Sequence, residues 1–140
     1  MALIDLASSN SLWRGIDYFE LNKVKEIEKI SDNEYKSIVS GSSDYNVFIN
    51  LNHPRKSTCS CPFAEGRRVI CKHMVATYFN IYPEEAKRLM DEQAAYEMEE
   101  EQLYEEHYNE VKEYVDSLTE DEAKAILIDR LMDEWYDDNW

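Results

Sequence analysis

The sequence contains few of the residues that interrupt regular structure. It has 3 Gly and 3 Pro among 140 residues, and it shows no internal repeat or low-complexity linker. This excludes collagen-like and linker-like chains, which depend on Gly or Pro. Hydrophobic residues make up 44% of the chain and aromatic residues 12%. That content is sufficient for a buried core, so we expect a folded protein rather than a disordered one.

Long apolar runs are absent as well. No segment approaches the ~20 apolar residues that a membrane-spanning helix needs. Residues 1–13 lack the basic segment and apolar run of a secretory signal. The chain has 3 Cys, an odd number that fits a secreted disulfide framework poorly. We therefore expect a soluble, cytoplasmic protein that has no membrane partner.

Basic residues are scarce in the second part of the chain. Residues 1–80 contain 10 Lys and Arg against 9 Asp and Glu, whereas residues 81–140 contain 5 against 21. The first part therefore has a net charge of +1 and the second a net charge of −16, which together give the −15 of the whole chain. The acidic part is expected to repel nucleic acid and to favour basic partners.

The first part of the chain predicts a short helix followed by a small sheet. Apolar residues recur at helical spacing over Ser11–Phe19, with Ser11 as a candidate N-cap. Residues of high strand propensity follow in two segments, Tyr35–Val39 and Tyr45–Leu51. Periodicity leaves Val24–Ile30 open between helix and strand. Turn residues precede and follow Tyr35–Val39, so a three-stranded antiparallel meander is the simplest interpretation.

The remainder of the chain predicts helices. An apolar helical stripe follows Cys71 and ends at Tyr82, and Pro83 is well suited to the first turn of a new helix. Apolar spacing over Tyr104–Leu118 and a capping box at Thr119 indicate two further helical segments. We predict an α+β protein with a zinc-binding module over residues 1–82 and an acidic helical hairpin or bundle over residues 83–140.

One short segment contains all the cysteines, arranged as Cys-x-Cys, nine residues, Cys-x-His. Thiolate and imidazole are the ligands that tetrahedral zinc prefers, and a complete Cys₃His set is typical of a structural site. The ligands are Cys59, Cys61, Cys71 and His73. Because residues two apart diverge by ~200° within a helix, Cys71 must lie at or before a helix start that His73 enters. His53 is an exposed-loop residue that we hold as a reserve ligand.

These residues resemble the SWIM-type zinc fingers, whose hallmark is Cys-x-Cys followed by Cys-x-His. Further similarities are the Arg14-Gly15 pair with Tyr18, the strand that Val24 opens, the Val39–Ser42 segment and the alternating strand at Tyr45. The similarity extends over Ser11–Phe79, and the chain resembles a small stand-alone member of this family of the bacterial type. It implies a small sheet beside a ββα-like zinc unit, one structural zinc ion held by the four ligands above, and binding to DNA or to other proteins. It implies no catalysis by the finger itself.

Two functions follow from these features. The first is DNA binding, in which basic residues around the finger contact phosphates. Those residues are Arg55, Lys56, Arg67, Arg68 and Lys72. The second is a protein-interaction adaptor or an acidic DNA mimic, in which the C-terminal helices bind a basic partner such as a helicase-type enzyme. The sequence has no phosphate-binding loop or nucleophile triad, so we expect neither enzymatic activity nor a small-molecule substrate.

Overall fold

The computed structural model describes residues 1–140 and contains four helices and one sheet of four strands. The helices are α1 (Ser9–Glu20), α2 (Lys72–Ile81), α3 (Pro83–Ser117) and α4 (Glu120–Asn139). The strands are β1 (Val24–Ser31), β2 (Glu34–Ser40), β3 (Asp44–Asn50) and β4 (Thr58–Cys59). The predicted α+β class is confirmed. No helix combines the length and the apolar composition that a membrane span requires.

The N-cap of helix α1 lies three residues earlier than predicted. Ser8, not Ser11, is the N-cap, and its hydroxyl accepts a hydrogen bond from the Ser11 backbone N–H. The helix ends where Asn22 takes a left-handed conformation with φ of 54°, which Asn tolerates better than most residues do. The predicted helix is therefore present, with a different first residue.

The sheet is antiparallel with its strands in sequence order. The predicted meander is confirmed, and Val24–Ile30 lies in a strand. Alternation in β3 places Val47 and Ile49 on the buried face, as period-two geometry requires. The additional strand, β4, pairs with β3 and places Cys59 opposite Val47. This pairing joins the metal-binding segment directly to the sheet.

The core lies between the sheet and α2. Phe79, Met74 and Val75 of α2 are fully buried, as are Val39 and Ile49 of the sheet. A hydrogen bond of 2.6 Å between the buried hydroxyls of Ser37 and Thr77 links β2 to α2. Polar groups in such a place need a partner of this kind. Helix α2 is therefore attached to the sheet by both apolar and polar contacts.

Helix α1 packs on α2 at very close range. A Cβ atom on Gly15 would lie 2.3 Å from Cγ1 of Val75, so no larger residue fits without a shift of the helices. Trp13 and Phe19 of the same helix pack against the core. The ring of Phe19 lies 6.2 Å from that of Phe79, measured between centroids.

The chain divides into two compact units, residues 1–91 (unit 1) and residues 92–140 (unit 2). Unit 1 contains α1, the sheet, α2 and the first turns of α3, where Ala86 is buried and Leu89 and Met90 pack against the core. Pro83 is the first residue of α3, as predicted. Two acids follow it in the first turn, Glu84 and Glu85, where they complement the helix dipole.

Unit 2 consists of the rest of α3 and of α4. The predicted capping box is present, because the Thr119 hydroxyl accepts from the Glu122 N–H and the Glu122 carboxylate accepts from the Thr119 N–H. The predicted helical region is therefore confirmed. No residue of α4 is buried, and the apolar side chains of both helices in this unit are largely exposed. Unit 2 is regular in secondary structure but has no buried core.

Candidate metal centre

The four predicted ligands meet in the interior of unit 1. Cys59, Cys61, Cys71 and His73 are each 4% exposed or less. Their ligand atoms all lie within 4.8 Å of one another. The three cysteines are free thiols. A buried cluster of this composition matches the donor set of a structural zinc site, which has no open position for a substrate.

Two elements of unit 1 position the ligands. Cys59 ends β4, and the next residue, Ser60, exchanges hydrogen bonds with Asn46 of β3 through its N–H and its hydroxyl. The thiols of Cys59 and Cys61 meet in the same cluster, as expected of residues two apart on a nearly extended segment. Cys71 is the N-cap of α2, and His73 lies in the first turn of that helix. The predicted position of this pair across a helix start is confirmed.

The spacing of the ligand atoms fits zinc. Nδ1 of His73 lies 3.7 Å from Sγ of Cys59 and 3.8 Å from Sγ of Cys71. Bond lengths of about 2.3 Å to sulfur and 2.0 Å to nitrogen place tetrahedral ligands at about 3.5–3.8 Å from one another. The four residues would therefore hold zinc through three Sγ atoms and Nδ1, with little rearrangement. Zinc supplies structural cross-linking at such a site.

The thiols titrate differently because of their surroundings. Burial raises the pKa of the Cys61 thiol. A hydrogen bond between Cys59 and Cys71 raises the pKa of the Cys59 thiol and lowers the pKa of the Cys71 thiol. His73 and the Met74 N–H at the start of α2 also favour the Cys71 thiolate.

An aromatic cage surrounds the imidazole of His73. The Tyr45 ring lies 4.6 Å from the imidazole, and the Tyr18 ring lies 5.3 Å from it in an edge-on orientation. Gly41 completes the cage, since a Cβ there would lie 3.4 Å from Nε2 of His73. This Nε2 atom is buried and has no hydrogen-bond partner. Nδ1 of His73 faces the thiols. Many metal-binding histidines are oriented by a hydrogen bond from the other ring nitrogen, whereas here the packing of the cage orients the imidazole.

The cage was not predicted from the sequence. Tyr18, Gly41 and Tyr45 belong to the pattern by which the chain resembles SWIM fingers, but their role around His73 did not follow from that pattern. They lie on α1, the β2–β3 turn and β3. Their contact with His73 depends on tertiary packing, which short-range spacing does not report.

Four of the five candidate nucleic-acid contacts line one cavity of about 740 Å³. These are Arg55, Lys56, Arg67 and Arg68, and we call their cavity the basic cleft. His53 also lines it and is not part of the ligand cluster, so the reserve ligand is not needed. No acidic residue lines the cleft. Arg67 is held in place by a hydrogen bond to the Phe63 carbonyl oxygen and lies 5.1 Å from the centroid of the Phe63 ring.

Lys72, the fifth candidate, lies elsewhere. It lines a separate cavity of about 470 Å³ together with Arg14 and three of the ligands, Cys61, Cys71 and His73. The Lys72 ammonium lies 5.0 Å from the centroid of the Tyr18 ring. Its charge can offset the net −1 of a Cys₃His zinc centre. Arg14 was not among the candidates, and its helical position gave no signal for this placement.

Comparison with known families agrees with this geometry. Residues 45–82 match the SWIM zinc finger, a segment that contains all four ligands and α2. No curated protein and no solved structure matches the chain. The predicted resemblance is confirmed over the matched segment. Residues 45–82 are therefore similar to a SWIM zinc finger, and the buried Cys₃His cluster in this segment is a ligand set for one structural zinc ion.

Proposed function

We propose that unit 1 binds the phosphate backbone of DNA through the basic cleft. The observation that supports this proposal is the convergence of Arg55, Lys56, Arg67 and Arg68 on one cavity that no acid lines. Guanidinium and ammonium groups arranged in this way suit phosphate oxygens. In this proposal zinc maintains the shape of the cleft and takes no part in a reaction. We place this activity in the cytoplasm.

Zinc and the cleft are linked through the loop between Cys61 and Cys71. Arg67 and Arg68 lie on this loop, and Arg55 and Lys56 lie just before β4. The loop turns at Gly66, whose φ of 72° is in the left-handed region. Its first turn is closed by hydrogen bonds from the Ala64 and Glu65 N–H groups to the Cys61 carbonyl oxygen. Loss of the metal would release both ends of the loop and separate the two pairs of cations.

The charge of the whole chain predicts weak and salt-dependent binding. Unit 1 contains 12 basic and 12 acidic residues, whereas unit 2 contains 3 and 18. A neutral unit with a local basic surface can bind phosphates at short range, and a unit with a charge of −15 opposes the approach of DNA. We therefore expect affinity to fall steeply as salt is added.

The test is fluorescence anisotropy of labelled duplex DNA with the zinc-loaded full chain over a series of salt concentrations. Replacing Arg67 and Arg68 by Gln removes two cleft cations. The slope of log affinity against log salt should fall by about 1 for each cation that no longer neutralises a phosphate. The matched control is Lys25→Gln with Lys36→Gln, which removes two exposed charges outside the cleft. The control should retain the original slope.

Two results would contradict the proposal. One is binding that does not depend on salt, because phosphate contacts release counterions. The other is an equal loss in the cleft variant and in the control variant, because the effect would then reflect net charge alone. Zinc content and the thermal melting curve of each variant establish that the fold is retained.

A second candidate function is a protein-interaction adaptor that uses unit 2. It is favoured by the exposed apolar side chains of α3 and α4, which DNA binding does not explain. A basic protein, such as a helicase-type enzyme supplied as a separate chain, has the charge that this unit favours. The two candidates are distinguished by location, since substitutions in unit 1 impair the first and substitutions in unit 2 impair the second.

A further inference from the structure

Unit 2 exposes an unusual amount of apolar surface for a regular helical region. Of the 21 large hydrophobic side chains that are exposed in the protein, 16 lie between residues 92 and 140. Single exposed apolar residues are normal, whereas contiguous ones mark an interaction surface. Helices of this kind gain most of their stability when an apolar face is covered. The question is what covers it.

On α3 the apolar residues form a continuous face. Tyr104, Tyr108, Val111 and Val115, which we call the α3 stripe, follow one another by four, three and four residues, the spacing of one helix face. Each is between 46% and 72% exposed. The rings of Tyr104 and Tyr108 stack, with their centroids 6.5 Å apart.

On α4 a second face has the same character. Leu127, Leu131 and Trp135, the α4 stripe, are each four residues apart and between 53% and 57% exposed. Only Leu118 and Thr119 separate α3 from α4. Although the two helices are adjacent in sequence, the two stripes do not bury each other. Each stripe is therefore available to a helix from outside the chain.

The charge around the stripes selects the kind of partner. Unit 2 has 18 acidic residues against 3 basic ones, and two of its exposed acids, Glu101 and Glu105, lie on α3 at the edge of the α3 stripe. A second copy of the chain would bring a charge of −15 against an equal charge, which opposes self-association. A helix with Lys and Arg beside its apolar stripe gains from both the apolar contact and the charge.

We propose that unit 2 binds a basic amphipathic helix of another protein, with the apolar face of that helix on the α3 and α4 stripes. The proposal rests on the second candidate function and specifies its partner class. The apolar contact supplies affinity, and the acidic flanks supply selectivity against neutral and acidic helices. The partner's Lys and Arg side chains lie over the carboxylates at the edges of the stripes.

The probe is a synthetic helix of about 20 residues, built from Leu and Lys so that the Leu residues form one stripe. A scrambled peptide of the same composition has the same charge and no stripe. Binding of each labelled peptide to the zinc-loaded full chain is measured by fluorescence anisotropy at about 0.05 M and 0.3 M salt. We expect the striped peptide to bind at least about tenfold more tightly than the scrambled one.

A matched pair of variants locates the surface. Tyr108→Ala with Val115→Ala removes apolar area from the α3 stripe and retains helix-forming residues, so affinity for the striped peptide should fall at least about tenfold. Glu106→Ala with Glu113→Ala changes the same helix away from the stripe and should weaken binding only a few-fold. Circular dichroism checks that helix content is equal in the two variants.

Equal affinity for the striped and scrambled peptides would overturn the proposal, because charge alone would then explain binding. So would sedimentation equilibrium that shows a dimer which Tyr108→Ala with Val115→Ala dissociates, because a second copy would then cover the stripe. Arg67→Gln with Arg68→Gln should leave peptide affinity unchanged. Failure of the DNA proposal and failure of this one are thus separate results.

Discussion

Units 1 and 2 both contain helices with an apolar face, but this face is buried in unit 1 and exposed in unit 2. In unit 1 the aromatic ring of Phe79 on α2 is completely buried, while in unit 2 that of Tyr108 on α3 is 56% exposed. Both belong to apolar faces with helical spacing. Helix α2 packs against the sheet and α1, whereas the residues of α3 beyond its first turns are largely exposed. An amphipathic pattern thus predicts a helix without predicting what covers its face.

The units also differ in how the chain is held. In unit 1 the ligand cluster joins β4 to the start of α2. Its members Cys59 and His73 are 14 residues apart in the sequence. In unit 2 the ion pairs are local and exposed, such as Lys112 with Asp116 and Lys124 with Glu120, each within one helix. Local pairs of this type stabilise a helix slightly and cannot fix tertiary structure.

Metal removal should separate the two units most clearly. Ligation of structural zinc contributes on the order of 10 kcal/mol to folding, which is comparable to the whole stability of a domain. Chelation, or Cys71→Ser, should therefore abolish hydrogen-exchange protection in unit 1, while the exchange of unit 2 is unchanged. Exchange measured by mass spectrometry reports each unit separately. His107→Ala, an exposed histidine of unit 2, is the control and should keep one zinc per chain.

A matched aromatic truncation should give the next largest difference. Phe79→Ala removes a fully buried ring and should lower the free energy of unfolding of unit 1 by about 3–5 kcal/mol. Tyr108→Ala removes an exposed ring and should change the stability of the isolated chain by less than about 0.5 kcal/mol. Chemical denaturation of the zinc-loaded protein measures both. Similar losses in the two variants would mean that the α3 stripe is buried in solution.

The contact of α1 with α2 allows a test in which the sign of the effect is informative. Replacing Gly by Ala in a helix normally stabilises it by up to about 1 kcal/mol. At Gly15 the added methyl would overlap Val75, so Gly15→Ala should instead destabilise unit 1 by about 1–3 kcal/mol. A thermal melt of the zinc-loaded protein gives the sign. Combining it with Val75→Ala should recover part of the loss, because the smaller side chain makes room.

The sequence was sufficient to predict the parts of this protein that depend on local spacing. Strand alternation, turn residues and the capping box at Thr119 indicated most elements, and the Cys-x-Cys and Cys-x-His pairs identified the ligands. Strand β4 was missed because its two residues, Thr58 and Cys59, are too few to show a period. Strand β4 forms because its two residues pair with the edge of β3.

The arrangement of the candidate site was harder to predict because it also depends on contacts between distant parts of the chain. Sequence reasoning grouped Lys72 with the other four cations because all lie near the cysteines in the chain. The fold separates them, since Lys72 begins α2 and lines one cavity with Arg14, whereas Arg67 and Arg55 line the basic cleft. These placements, like the cage around His73, are tertiary contacts between elements that no short motif records.

The smallest predicted effects on stability come from a comparison of substitutions at two threonines, Thr77 and Thr119. The Thr77 hydroxyl is buried, donates to the His73 carbonyl oxygen and pairs with Ser37, so Thr77→Val should destabilise unit 1 by about 1–2 kcal/mol by leaving the Ser37 hydroxyl without its partner. The Thr119 hydroxyl caps α4 in solvent. Thr119→Val should leave the stability of unit 1 unchanged and increase hydrogen exchange only in the first turn of α4. If adding Ser37→Ala to Thr77→Val restores the stability of unit 1, the loss arises from the unpaired Ser37 hydroxyl. If stability is not restored, the methyl group that replaces the Thr77 hydroxyl has disturbed α2, the helix that contains His73.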